Sequence, residues 1–211
     1  MNDIQEYTAD LQIDNFSVVE TSALHPTQLC LGFREVQYRI GQFKEMSPDD
    51  LDAYLKENYL PIVIGPDKRP YVVDHHHRAR AIELTDMRDT VYIKVLKNCS
   101  EWQERDFWLM MRENAWVYLF DKDGNPAETE EIPSRLEDLQ DDKYRSLAWA
   151  VRKAGAYEKS DKPFQEFLWG DFFRQRIDFE DTEDGFQTAV NKAVELCKTH
   201  DAKHLPGFIK K

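Results

Sequence analysis

Asp74-His75-His76-His77-Arg78-Ala79-Arg80-Ala81 is the stretch whose reading decides the fold. It follows an apolar run, Tyr71-Val72-Val73, and leads into a segment where Ala79, Ile82 and Glu83 continue at helical spacing. An extended segment, a tight turn and a helix start are therefore expected in that order. The first N–H groups of a helix have no partner inside it, and the dipole there favours an anion. An arginine and imidazoles added at that point make a cradle for phosphate. Asp74, at the strand end, is suited to holding Mg²⁺ or to orienting a histidine. The plainer alternative is an exposed helix start with solvated imidazoles. Three consecutive histidines point in different directions on a helix, so all three cannot bind one ion.

Working outward, Leu60-Pro61-Ile62-Val63-Ile64-Gly65 reads as a buried strand, Pro66–Arg69 as a turn, and Tyr71–Asp74 as a second strand. Val91–Leu96 is a third strand, and Phe16–Val19 a short one in a polar lead-in. Ser47-Pro48-Asp49-Asp50 supplies a capping hydroxyl, a first-turn proline and two acids, so a helix is expected from there to Asn58. Another is expected over Leu31–Lys44. Beyond Asn98 the pattern becomes helical. A start is expected at Ser100, with Trp102, Phe107, Trp108 and Trp116 as core, then helices over about 143–154, 163–178 and 182–199. Residues 127–142 read as an acidic surface linker with a helical turn between Pro133 and Leu139. The expected organisation is an α/β core over residues 1–98, a small mixed sheet with flanking helices, and a helical extension over 99–211 packed on it.

The net charge of −12, from 40 acidic and 28 basic residues, works against a protein built to grip a long phosphate backbone. Nucleic acid is thus a less favoured partner than a nucleotide with a small-molecule acceptor. The 3 cysteines, Cys30, Cys99 and Cys197, lie far apart in no metal or redox spacing and read as small buried residues of a reducing compartment. The opening residues have no basic start followed by an apolar run, and nothing approaches the ~20 apolar residues of a membrane span. A cytoplasmic protein is expected.

The turn resembles the phosphate-binding turn of the ParB/sulfiredoxin superfamily. The lead-up has the same pattern: a His25-Pro26-Thr27-Gln28 box, Glu35-Val36-Gln37, and Leu60-Pro61-Ile62-Val63 before the hairpin. The superfamily core covers about His25 to Val95. The chain is most similar to the group catalogued as ParB-like nucleases, in which the turn is accompanied by an F-W segment, here Phe107-Trp108, and a C-terminal Leu205-Pro206-Gly207. Sulfiredoxins place a reactive cysteine where His76 stands, so sulfinic acid reduction is not implied. ParB partition proteins carry Glu and Arg where His76 and His77 stand. The free-serine kinases match best, at Asp74, His76, His77 and Arg78, with His75 where glycine is usual.

The resemblance implies phosphoryl transfer from a Mg²⁺-bound nucleotide such as ATP. Glu35 would be the base, Asp74 the metal carboxylate, and His75 to Arg78 with Arg80 the phosphate-binding group. His76 and His77 join Asp74 and Glu35 as candidate catalytic residues, and His204 would cover the site from the C-terminal end. A nuclease or phosphodiesterase is the alternative, and a non-catalytic nucleotide- or anion-sensing module the second. Asp-His-His runs also occur in manganese phosphoesterases, but no earlier strand here ends in the Asp-x-Asp pair those need. Phe164, Phe167, Trp169, Phe172 and Phe173 read as core or interface. Arg174 and Arg176 can reach a ligand or merely balance charge, and His25 and His200 have no assigned role.

Overall fold

The computed structural model describes residues 4–210, so the first three residues of the polar lead-in lie outside the described residues. The architecture is mixed α/β, as expected. In chain order the elements are β1 (Phe16–Glu20), β2 (Cys30–Leu31), α1 (Phe33–Lys44), α2 (Pro48–Glu57), β3 (Leu60–Ile64), β4 (Pro70–Val72), α3 (His76–Glu83), β5 (Thr90–Asn98), α4 (Glu104–Glu113), β6 (Gln140–Asp141), α5 (Lys143–Lys153), α6 (Gln165–Arg174) and α7 (Glu183–Leu196). The chain forms two compact units. One holds the residues up to Cys30, Val36–Asp121 and Asn125–Gln140; the other holds Leu31–Glu35, Lys122–Gly124 and Asp141 onward.

The first unit is organised by a four-stranded sheet in the order β1-β5-β3-β4. The long β5 pairs antiparallel with β1, Val18 opposite Tyr92, and parallel with β3, Ile62 opposite Val95. A parallel pair needs a crossover connection. Here β4 and α3 provide it, so the strand–turn–helix of the histidine run is the crossover of the sheet. The unbroken apolar sequence of β3 reflects burial on both faces: Leu60, Ile62, Val63 and Ile64 are all at most 1% exposed. Pro70 opens β4 on the sheet edge, where a missing N–H is tolerated. The α2 start is as read: Ser47 Oγ accepts the Asp50 N–H at 3.2 Å, and Asn58 closes the helix.

Three expectations are corrected. The first helix begins at Phe33, because Cys30–Leu31 pairs with Gln140–Asp141 as a separate two-stranded sheet. The helix expected from Ser100 begins at Glu104. Asn98 Oδ1 accepts the Ser100 N–H at 2.9 Å and the Trp102 N–H turns back to Cys99 at 2.9 Å, so these residues are spent in a turn. That turn also leaves Trp102 38% exposed, with Lys97 Nζ 5.0 Å from its ring centroid, and it is not core. The acidic segment holds the helical turn expected between Pro133 and Leu139, at Leu136–Asp138, but it is not only solvated surface: with a second 3₁₀ turn at Thr129–Glu131 it folds so that Leu136 and Leu139 are buried. All three cysteines are buried and free, as expected.

The second unit is a helical core of α5, α6 and α7. Trp169 and Phe173 are fully buried among Leu147, Val151 and Ala193. Tyr157 stacks on Trp169 at 4.3 Å between centroids, and its hydroxyl donates to the Ala148 carbonyl at 2.8 Å. The Trp169 indole N–H donates to the Pro206 carbonyl at 2.8 Å, which ties the C-terminal Leu205-Pro206-Gly207 to α6. Gly207 has φ +74, and a Cβ there would lie 2.0 Å from the Glu158 carbonyl oxygen, so only glycine fits. Among the described residues no helix is long and apolar enough to cross a membrane.

Because Trp169 fills the centre of this unit, Trp169→Ala is expected to cost about 3–5 kcal/mol of stability, measured by urea unfolding. A loss below about 1 kcal/mol would mean that the helices repack around the void.

Candidate functional site

The histidine run forms the turn into α3, and its backbone takes a conformation that glycine adopts most easily. His75 sits in the left-handed region at φ 66, ψ 25, immediately before the first helical residue. Three contacts hold it there. Its N–H donates to Asp74 Oδ1 at 2.6 Å, and its carbonyl accepts the Arg78 and Ala79 N–H groups at 2.9 and 3.1 Å. The replacement of the usual glycine therefore keeps the turn and adds an imidazole to it. The Asp74 carboxylate is exposed and lies 3.6 Å from His75 Nδ1, so it faces the ring that it precedes.

His76 is 4% exposed and points back into the unit. Its Nε2 accepts the Thr27 backbone N–H at 3.1 Å, while the Thr27 hydroxyl donates to the Val72 carbonyl at 2.7 Å. An Nε2 that accepts from an N–H carries no proton, so the ring is neutral and its proton is on Nδ1. Burial pushes its pKa down to about 4. His76 thus fastens the start of α3 to the His25–Gln28 box. His77, next along, is buried at 7% exposure on the same first turn.

Arg78 is the exceptional side chain. It is 7% exposed, yet its contacts are neutral: Nη1 donates to the Asn58 carbonyl at 2.6 Å, and the guanidinium carbon lies 5.8 Å from the Tyr54 ring centroid. Its Nε is buried with no hydrogen-bond partner, and no carboxylate lies within ion-pair distance among the described residues. Burial lowers its pKa from the ordinary value, Tyr54 opposes this, the half-buried Arg39 of α1 adds repulsion, and Asp74 adds a weaker attraction from beyond ion-pair distance. A guanidinium out of water normally has a carboxylate or phosphate partner. The same residues suit a phosphate oxygen, with the N-terminal end of α3 beside it.

The remaining candidates are placed differently. Arg80 donates to Glu83 at 2.7 Å within α3, so its charge is balanced in the helix. Glu35 belongs to the second unit and is buried at 3% exposure, its carboxylate 3.2 Å from Arg145 Nη2. Burial disfavours the Arg145 charge, but Glu35 and then Glu166 outweigh it, and its pKa is raised. Among the described residues no three His, Cys, Asp or Glu side chains are grouped to hold a metal ion. Asp74 alone offers an exposed carboxylate beside the turn. Sequence reasoning missed Thr27, Asn58, Tyr54 and Arg39. Thr27 was within the box already singled out, but nothing in the spacing of the other three ties them to a turn 20 or more residues away.

A small mixed sheet whose crossover carries the histidine–arginine turn is the class of architecture this chain has. The family model described as "Putative ParB-like nuclease" matches residues 17–175, and the chain belongs to that family. The crystal structure of protein Atu1540 from Agrobacterium tumefaciens is similar at 36% identity and a TM-score of 0.83, covering 92% of this chain and 97% of that one. No curated protein matches the sequence.

Two outcomes follow from these placements. The unfolded chain takes up a proton near 6.5 that folded His76 refuses until about 4. The His76 contribution is therefore intact above that window and declines by about 3 kcal/mol as pH falls through it. Urea unfolding across this range, compared with His76→Gln, measures it, and an equal decline in the variant would contradict the assignment. Glu35→Gln leaves buried Arg145 without its counter-charge and is expected to cost about 3–5 kcal/mol.

Proposed function

We propose that the chain is a phosphodiesterase of the nuclease type, which holds a phosphodiester at the Asp74–Arg78 turn and hydrolyses it with water. The observation that carries this reading is the buried Arg78 guanidinium, which faces no carboxylate at the start of a helix. Membership of the ParB-like nuclease family supports the reaction class. Arg78 and the first-turn N–H groups of α3 would bind the non-bridging oxygens, with His77 beside them as the charge builds up.

His75 is suited to the proton transfer. Its Nδ1 lies 3.6 Å from Asp74 Oδ1, and an imidazole oriented by a carboxylate can take a proton from the attacking water. The water oxygen bonds to phosphorus and one P–O ester bond breaks. Its electron pair stays on the leaving oxygen, which is protonated by the imidazolium or by solvent. The products are a phosphomonoester and an alcohol. A Mg²⁺ ion accompanying the substrate would take Asp74 as its protein ligand, with phosphate oxygens and water completing the shell, which suits this cation.

Transfer to an acceptor hydroxyl from a nucleotide is the second reading, favoured by the Asp74, His76, His77 and Arg78 match to the serine kinases. It has less support. Its candidate base, Glu35, is engaged with Arg145, and His76 accepts from Thr27. The net charge of −12 favours a small or short substrate over a long polyanion.

The test is hydrolysis of bis(para-nitrophenyl) phosphate and of a short single-stranded oligonucleotide, each with and without Mg²⁺. Arg78→Ala is expected to weaken substrate binding about tenfold to hundredfold. His75→Gly keeps the left-handed turn, so binding should persist while turnover falls about 10²- to 10⁴-fold. Phosphoryl transfer from ATP with no cleavage of either diester would instead establish the second reading.

A further inference from the structure

Within the second unit a cavity of about 520 Å³ opens beside α6 and the Leu205-Pro206 segment. That volume is within the range of small-molecule sites. Leu168, Phe172, Leu205 and Pro206 give it apolar walls. Pro206 is held in place by the Trp169 indole and by the Gln165 amide at 3.0 Å, so the wall is fixed by the core.

The rim is cationic in a chain that is strongly acidic. Arg176, Lys162 and His204 line the cavity, and none of the three makes an ion pair among the described residues. Asp171, the acid that also lines it, is already paired with Arg174. Arg176 is pre-positioned: its guanidinium carbon lies 4.0 Å from the Phe172 ring centroid, and Nη1 donates to the Phe172 carbonyl at 3.0 Å. His204 packs edge-on to the same ring, 6.4 Å between centroids. Buried Phe172 therefore fixes the Arg176 guanidinium and the His204 ring, and ordering them costs little when a ligand arrives. The guanidinium face turned away from Phe172 can stack on a flat group, and its remaining N–H groups can meet an anion.

We propose that this cavity binds a small phosphate monoester with an apolar or aromatic body. The Arg176 and Lys162 charges, with the His204 imidazole as a further hydrogen-bonding group, match a phosphate dianion better than the single charge of a diester, and the walls match the body. This inference does not depend on the Arg78 site, because its residues and observations are separate.

The test uses AMP and phenyl phosphate as probes, with the full-length chain and with Arg78→Ala. Binding is followed by calorimetry and by the His204 ring resonances. Both probes are expected to shift those resonances in the wild type and in Arg78→Ala alike. Adenosine and inorganic phosphate should each bind about tenfold or more weakly, since each lacks half of the recognition. Arg176→Gln and Lys162→Met, both at exposed positions, should each weaken AMP about tenfold. The proposal is overturned if neither probe moves the His204 resonances, or if AMP binding is lost in Arg78→Ala but unchanged in Arg176→Gln. Loss of diester hydrolysis in Arg78→Ala with AMP binding intact would separate the two sites.

Discussion

An arginine placed out of water with no carboxylate within ion-pair distance among the described residues, and only Asp74 acting on it from farther off, is the constraint around which the first unit is arranged. Desolvating a guanidinium costs several kcal/mol, and neutral partners recover only part of that. The fold supplies what it can at Arg78: the Asn58 carbonyl at the end of α2 and the face of Tyr54 one turn earlier. The α3 start that carries it is fixed by the Thr27–His76 bond. In the proposed function, a side chain kept in so unfavourable a state, at a helix end that favours anions, would be matched by a ligand that brings negative charge.

The second unit shows how the chain treats a buried arginine that has no such task. Arg145 is as buried as Arg78, but Glu35 meets it at 3.2 Å, and Glu166 and Asp142 add to its field. Arg174 likewise has Asp142 and Asp171. With 40 acids available to 28 bases, a missing carboxylate partner is not a matter of supply. The contrast between compensated and uncompensated arginines separates structure from function more sharply than burial does.

Local signals in the sequence carried the fold well. The β3–turn–β4–α3 segment was legible because each step has a strong local cause: a doubly buried apolar strand, a turn of Pro66 to Arg69, and a helix start that seeks an anion. The α2 cap was legible for the same reason. What was not legible depended on distance. Leu31 reads as helical until Asp142, more than a hundred residues on, accepts it into a strand pair, its N–H meeting the Leu31 carbonyl at 2.7 Å. Glu35 has the residue type and place of a base, but its meeting with Arg145 is a tertiary event. At the turn, the strand-to-helix step was legible from the residues, while the contacts of the three histidines depended on the direction of each ring. Only the structure shows His75 facing Asp74, His76 accepting from Thr27, and His77 buried on the first turn of α3.

The acidic surface and the cationic turn are compatible because they act over different ranges. Surface charges are screened within about 8 Å at physiological ionic strength, whereas a buried, low-dielectric guanidinium keeps its attraction at contact. A long polyanion must lie against acidic surface beyond the turn and meets repulsion along its length. In the proposed function, a substrate of one or two phosphates would escape most of that and keep the contact with Arg78. The same balance applies to each cationic site on this chain: affinity is set by a few desolvated donors, and the field of the remaining surface sets how large an anion is admitted.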